Sequence, residues 1–385
     1  MKLERNHWRH YFGGVAILLL ILQLLTGVFL ALFYQPDLQQ AYASVQALYR
    51  DFAAAAWIRD SHRWVAFLIF AVIIVHVVRS LLRKEFLNYS RRTLWLTGGL
   101  LMLPILALQI TGIILPWEWR AYWFMEMVPN YLGGIPLVGS AMKTFLIEAF
   151  TLSRNFIAHV VILPVIAYVL IDFHILAVLR KRKSGIVKYL AKHAVISIPF
   201  FIVVGALAVN IPTPTEDPNI IPMPLEGANV PAPDWFFLFL LQPFMIFEGA
   251  MASFLSIYLP LILGIVLIFL PYIFKGWSNK RQNGKPGAGS DVGAPLRPNG
   301  KFKLTTSVGA VASFLIVVLV ASAPFAVLFV ETHESPTLGC NSCHNVSMGT
   351  RMGIPPRAFK DRKIIPLVDD NRWMVEHWFY PQVAW

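Results

Sequence analysis

Apolar residues in this chain collect into long unbroken runs instead of alternating or recurring as a stripe. Such runs lie at about 12–34, 62–82, 94–116, 156–179, 194–211, 254–274 and 305–330. Each approaches or exceeds the roughly 20 residues that a helix needs to cross the hydrocarbon core of a bilayer. The pattern predicts an all-α integral membrane protein with about seven transmembrane helices, the first four forming a bundle. A further run, Trp235 to Phe247, is too short to cross and contains Pro243, so it is expected in the interface or folded back on the bundle. The polar stretch at about 277–301, rich in Gly and Pro, reads as a flexible connection between the sixth and seventh helices.

Composition agrees with that pattern: 57% of residues are hydrophobic and 14% charged, with a mean hydropathy of +0.60, against about 25% charged in an average soluble domain. A net charge of +12 would suit nucleic acid, but the basic residues fall in particular loops and not in one patch with interleaved aromatics, so no nucleic-acid partner is expected. Lys2, Arg5 and Arg9 precede the first run, and Arg79, Arg83, Lys84, Arg91 and Arg92 separate the second from the third. Arg180 to Lys183, Lys188 and Lys192 separate the fourth from the fifth, and seven more lie between Lys275 and Lys303. From His193 to Phe274 there is no Lys or Arg. The positive-inside rule then predicts a multi-pass protein of a bacterial inner membrane, N-terminus cytoplasmic and C-terminus outside. The first apolar run exceeds a signal-peptide core and no small-residue cleavage site follows it, so it reads as the first span.

Four histidines fall inside these runs: His62 and His76 on the second, His159 and His174 on the fourth. A polar ring in hydrocarbon is costly and needs a partner. Fourteen residues of ideal helix separate two side chains by about 40° in azimuth and about 21 Å in height, and fifteen by about 60° and about 22 Å. Both helices run the same way through the membrane, so His62 is level with His159 and His76 with His174. Two imidazoles at each level suit the axial ligation of haem iron, giving two b-type haems. Ligands so far apart along one helix cannot share a small ion. Gly13 and Gly27 on the first run, and Gly98 and Gly112 on the third, repeat the fourteen-residue interval. Glycine lets another body approach the backbone closely, so glycine faces are expected beside the haem planes.

The only two cysteines lie in Cys340-Asn341-Ser342-Cys343-His344. This C-x-x-C-H pattern is the signature of covalent haem c attachment, with His344 as an axial ligand to iron. Met348, Met352, Met374 and His377 are all candidates for the sixth ligand. The tail of about 55 residues is too short to bury a large core of its own and is expected to pack on another subunit.

The stretches Y-F-G-G, Q-L-L-T-G, A-Y-A-S-V-Q, W-I-R-D-S-H-R-W, H-V-V-R, L-P-W-E, A-Y-W, I-P-L-V-G-S and T-L-S-R-N-F-I-A-H-V resemble the cytochrome b family of cytochrome bc and bf complexes. The likeness spans residues from about 11 to 330, and the His159 to His174 interval is similar to the bf type. It implies an N-terminal four-helix dihaem domain (1–192), a three-helix C-terminal part carrying a quinol-site loop (193–330), and a haem c tail (331–385). Pro233, Asp234, Trp235 and Phe236 resemble the family's P-E-W-Y quinol motif, and Glu118 closes the turn from Leu115 beside it. The resemblance implies a quinol:cytochrome c oxidoreductase subunit, active within a complex, with Asp234 accepting a quinol proton. One electron would pass to a Rieske iron–sulfur partner and the other to the haem of His62 and His159, then to that of His76 and His174 and to quinone. Arg59, Arg63 and Arg79 flank the histidines and could pair with haem propionates.

A c-type cytochrome or other acceptor, the quinone pool, membrane lipid and a second copy of the complex are the expected partners. Both cysteines are committed to haem, so a Rieske cluster, which needs two Cys and two His, must come from another chain. Asp234 and Phe236 depart from the family's Glu and Tyr, and the Asp form is compatible with a menaquinol user. Tyr11 and Phe12 stand where the bf type holds an extra haem through cysteine, so that haem is not expected. Ser90-Arg91-Arg92 replaces P-R-E. The alternatives are a dihaem anchor relaying electrons between a peripheral oxidoreductase and the quinone pool, and a transporter with histidine proton relays, which C-x-x-C-H disfavours.

Overall fold

The computed structural model describes residues 11–51, 53–88, 91–118, 121, 132–133, 135–149, 151–180, 185–213, 251 and 254–275. Among them all regular structure is helical: α1 (Tyr11–Ala31), α2 (Ala41–Asp51), α3 (Ala53–Leu82), α4 (Arg92–Ile114), α5 (Gly139–Ala149), α6 (Leu152–Arg180), α7 (Gly185–Asn210) and α8 (Phe254–Ile273). Five of these, α1, α3, α4, α6 and α8, are long and apolar enough to cross a membrane, and α7 makes a sixth if its two bent halves count as one span. The expected seventh run, Trp235–Phe247 and the 277–301 connection lie outside the described residues.

The helices associate in two antiparallel pairs, α1 with α3 and α4 with α6, while α7 packs on α1 and α3 and α8 packs on α4. Val15 and Leu19 of α1 and Val65 of α3 are fully buried, with Ile69, Val72 and Ile73 of α3, Ile105 of α4 and Val204 of α7 around them. Lipid tails are as apolar as these side chains, so dispersion and shape fit hold the seam together instead of release from water. The opposite faces carry exposed Leu24, Leu25, Val161, Val165 and Val169, as lipid-facing surfaces do.

Hydrogen bonds between polar side chains and backbone carbonyls bind the helix ends. Tyr34 Oη donates to Leu115 O at 2.6 Å, joining the end of α1 to that of α4, and Ser153 Oγ donates to Pro36 O at 2.8 Å. Burial pushes the Tyr34 phenol well above its ordinary range, so it remains a donor. Thr151 caps α6, its hydroxyl accepting from Arg154 N at 3.2 Å. Trp64 Nε1 donates to Ile211 O at 3.0 Å beyond the end of α7, and Trp95 Nε1 donates to Leu267 O of α8 at 2.7 Å.

Two features depart from the expectations. The fifth helix begins at Gly185, not near 194, and bends by 57° between Ile186–Val195 and Phe200–Asn210; Pro199, which has no N–H to continue the ladder, lies at the break. The loops also hold short helices: α2 buries Ala41, Val45 and Leu48 at helical spacing against α3, a stripe of small apolar residues that a search for 20-residue runs passes over.

The Trp95 bond links a side chain of α4 to α8, so Trp95→Phe should cost about 1 kcal/mol in reversible unfolding in mixed micelles. An unchanged midpoint would show that apolar packing alone holds α8.

Candidate functional site

The four histidines meet in two pairs. The ring centroids of His62 and His159 lie 6.4 Å apart with planes at 70°, and those of His76 and His174 lie 6.4 Å apart with planes at 85°. All four are half-buried. Two imidazoles facing a common metal through bonds of about 2 Å each, as zinc–imidazole bonds run, have ring centres about 6 Å apart. A pair supplies only two donors, the number that iron in a planar macrocycle leaves open.

The fifteen-residue interval on α6 would offset its rings more than the fourteen-residue interval on α3 if both helices were regular. In α6 each histidine sits in a π-helical turn, Ala158–Ile162 around His159 and Asp172–Leu176 around His174. An i→i+5 turn takes up an extra residue, which brings both rings of α6 to face those of α3.

Glycines on the neighbouring helices stand behind the rings. A Cβ at Gly13 would lie 3.4 Å from His76 Cε1, one at Gly27 3.1 Å from His62 Cε1, one at Gly98 2.7 Å from His174 Cε1 and one at Gly112 2.9 Å from His159 Cε1. Each ring lies against the bare backbone at its glycine. One further contact is tighter: a Cβ at Gly14 would come within 2.0 Å of His193 Cδ2 on α7, a buried ring whose Nδ1 lies 2.8 Å from Tyr189 O.

The sequence reading missed the threonines. Thr26 Oγ1 lies 2.8 Å from His62 Nδ1 and Thr111 Oγ1 2.9 Å from His159 Nδ1, while His174 Nδ1 donates to Leu94 O at 2.7 Å with Thr97 Oγ1 at 3.5 Å. Each threonine directly precedes a site glycine, so Thr-Gly was the available signal. With Nδ1 of His62, His159 and His174 engaged by the flanking helix, Nε2 is the nitrogen these rings leave for a metal. The residues therefore fit haem iron at both levels.

At the His62 end lies a buried charged cluster. Arg59 Nη2 donates to Glu118 Oε1 at 3.1 Å, Arg59 Nη1 donates to Tyr49 Oη, and Tyr49 Oη donates to Asp60 Oδ1 at 2.5 Å. Asp60 Oδ1 also accepts from Thr213 N at 3.0 Å. Trp117 adopts a left-handed φ of 52° in the turn that leads into Glu118. Of the arginines proposed for propionates, Arg59 is held by this cluster, Arg63 lies over the Phe67 ring at 5.5 Å, and Arg79 stands 3.9 Å from Glu85. Pro233, Asp234, Trp235, Phe236, Cys340, Cys343 and His344 lie outside the described residues.

Residues 5–183 match the Cytochrome b/b6/petB family. A cytochrome b6 of Heliobacterium mobile is 34% identical over 179 residues, which cover 45% of this chain and 82% of that protein. The chain belongs to the cytochrome b/b6 family. The menaquinol:cytochrome c reductase cytochrome b subunit of Geobacillus thermodenitrificans is 31% identical over 180 residues, 45% of this chain and 80% of that one. A cytochrome b of Allochromatium vinosum is 36% identical over 177 residues, again 45% of this chain but 42% of that protein. A structure of a hyperthermophilic respiratory Complex III superposes with a TM-score of 0.54 at 21% identity, covering 69% of this chain and 75% of that chain, which establishes the likeness of fold. Cytochromes of this family bind haem b, and its apolar helices make this member an integral membrane protein.

The glycine distances set an order of sensitivity. Alanine at Gly98 or Gly112 must displace a ring at a cost of about 1–3 kcal/mol and should lower haem b absorbance per protein, while Gly13→Ala should be nearly silent; equal losses at all these positions would refute the close approach.

Burial, the largest cause, pushes the Tyr49 phenol from 10.0 to about 12. Between those values the unfolded chain has lost a proton that the folded chain keeps, so stability falls as pH rises from 10 towards 12. Tyr49→Phe should abolish that part of the alkaline loss, on the order of 1 kcal/mol, in melts taken across this window.

Proposed function

We propose that this chain is the cytochrome b subunit of a bc/bf-type quinol:cytochrome c oxidoreductase, holding two b haems in its bundle and one covalent haem c on Cys340, Cys343 and His344. The observation that carries this reading is the pair of imidazole levels, each 6.4 Å between ring centres and each backed by glycine. The names of the relatives support the oxidoreductase assignment, menaquinol among the substrates they print.

Haem supplies a one-electron carrier at each level. His62 and His159 hold one and His76 and His174 the other, fourteen residues along α3, or about 21 Å of rise, so the protein spaces electron acceptors through the thickness of the membrane. Quinol is oxidised at the His62 end with Asp234 taking its proton, and Pro233, Trp235, Phe236 and Glu118 are the other residues assigned to quinol. Arg59 orients Glu118 through its 3.1 Å bond, and Arg63 and Arg79, which flank ligand histidines, are the arginines assigned to propionates. Electron movement towards the cytoplasm opposes a membrane potential by about 2.3 kcal/mol per 100 mV. Oxidation of the same quinol by a Rieske partner provides the offsetting drive.

The domain division at 192 and 330, the cytoplasmic N-terminus, the outward haem c tail in a bacterial inner membrane, the c-type cytochrome acceptor and the homodimer belong to the same proposal.

A pyridine haemochrome spectrum of the purified complex should report two b haems to one c haem. His76→Ala or His174→Ala should remove one b haem, and retention of every chromophore in these variants would end the dihaem reading. Asp234→Asn should keep both b haems and slow quinol oxidation by about 10²-fold; unchanged turnover would favour a dihaem anchor that only relays electrons.

A further inference from the structure

Resting on the haem reading above, we propose that Thr26 and Thr111 are positioning residues that lock the tautomers of His62 and His159 and so set the reduction potential at that level independently of the other.

The direction of each hydrogen bond follows from counting protons. A threonine hydroxyl has one hydrogen and two lone pairs. Thr26 Oγ1 donates to Leu22 O at 2.8 Å, four residues back on its own helix, and Thr111 Oγ1 donates to Ala107 O at 2.7 Å in the same way. With its hydrogen committed to the helix carbonyl, each hydroxyl can only accept from the imidazole. His62 at 2.8 Å and His159 at 2.9 Å therefore carry hydrogen on Nδ1, which leaves a lone pair on Nε2 and turns that nitrogen toward the partner ring. Asn155, fully buried, donates from Nδ2 to Thr111 O at 3.0 Å and steadies the second lock.

At the other level the threonine hydroxyl stands farther from its ring. His174 donates from Nδ1 to the carbonyl of Leu94 at 2.7 Å, and Thr97 Oγ1, itself bonded to Thr93 O at 2.8 Å, stands off at 3.5 Å. Opposite His76 the residue before Gly13 is Phe12, which has no hydroxyl. Two hydroxyls at 2.8 and 2.9 Å thus stand at one level, beside the backbone carbonyls of Gln23 and Leu108, while at the other the Thr97 hydroxyl stands 3.5 Å from His174. An acceptor on Nδ1–H makes the imidazole a stronger donor through Nε2 and favours oxidised iron; its removal raises the potential of that haem alone.

The test is a redox titration of the alpha band in the purified complex. Thr26→Val and Thr111→Val keep the shape of the side chain and remove the hydroxyl. In each, one of the two b components should rise by up to about tenfold in its reduced-to-oxidised ratio at fixed potential, which is about 59 mV for a one-electron couple. The shifts should fall on the same component, add in the double variant, and disappear in Thr26→Ser and Thr111→Ser, while Thr97→Val leaves that component in place. Loss of one b haem in Thr26→Val but not in Thr26→Ser would equally establish the need for the hydroxyl. Two retained haems with unmoved potentials, or serine variants shifted as far as valine, would overturn the proposal. Absence of b haem from the unsubstituted complex would instead overturn the haem reading itself.

Discussion

A nitrogen heterocycle inside a hydrocarbon layer has two polar atoms and no water to satisfy them, and the bundle is organised around that requirement. The backbone of a neighbouring helix must come close enough to reach Nδ1, and only a glycine lets it. Gly27, Gly98 and Gly112 admit His62, His174 and His159 to within 3.1, 2.7 and 2.9 Å of where a Cβ would stand. The residue or turn just before each glycine then provides the acceptor, Thr26, Leu94 O or Thr111. Close approach and hydrogen bonding are one arrangement, because the ring that fits against bare backbone is held where the acceptor lies. The antiparallel pairing of α1 with α3 and of α4 with α6 follows from the same need: each ring-bearing helix requires a glycine-bearing neighbour.

Much of this was legible in the chain itself. Long apolar runs declare helices, and intramembrane histidines at intervals of fourteen and fifteen can meet only in level pairs. The glycine repeat pointed to the right helices, while spacing gives height along a helix and not which side chain stands at that height. Thr26, Thr97 and Thr111 escaped because a threonine in an apolar run is unremarkable unless the partner across the interface is known. The charged cluster of Tyr49, Arg59, Asp60 and Glu118 joins residues up to 69 positions apart in sequence, and no periodicity announces such a meeting. The bend of α7 was written at Pro199, but a run of apolar residues conceals its own interruption.

Among the described residues, polar contacts gather at the helix ends and at the ring levels, and the two regions do different work. In the middle, packing of Val15, Leu19, Val65 and Ile69 gives a seam whose stability owes little to water. At the His62 end, Tyr34, Ser153 and Asp60 bind chain segments far apart in sequence through carbonyls and amides. Arg59 within that region is charged, buried and compensated by Glu118 at 3.1 Å, a pairing that removal of either partner would leave exposed to a low dielectric.

The wide turns of α6 have an evolutionary corollary. A helix that already carries an i→i+5 turn at each liganding position, Ala158–Ile162 and Asp172–Leu176, can shed one residue by tightening one of those turns to the ordinary pitch. Deletion or insertion between the rings is then absorbed on the spot, and neither imidazole swings out of line. The count of residues between such ligands can then change by one while the spatial arrangement persists.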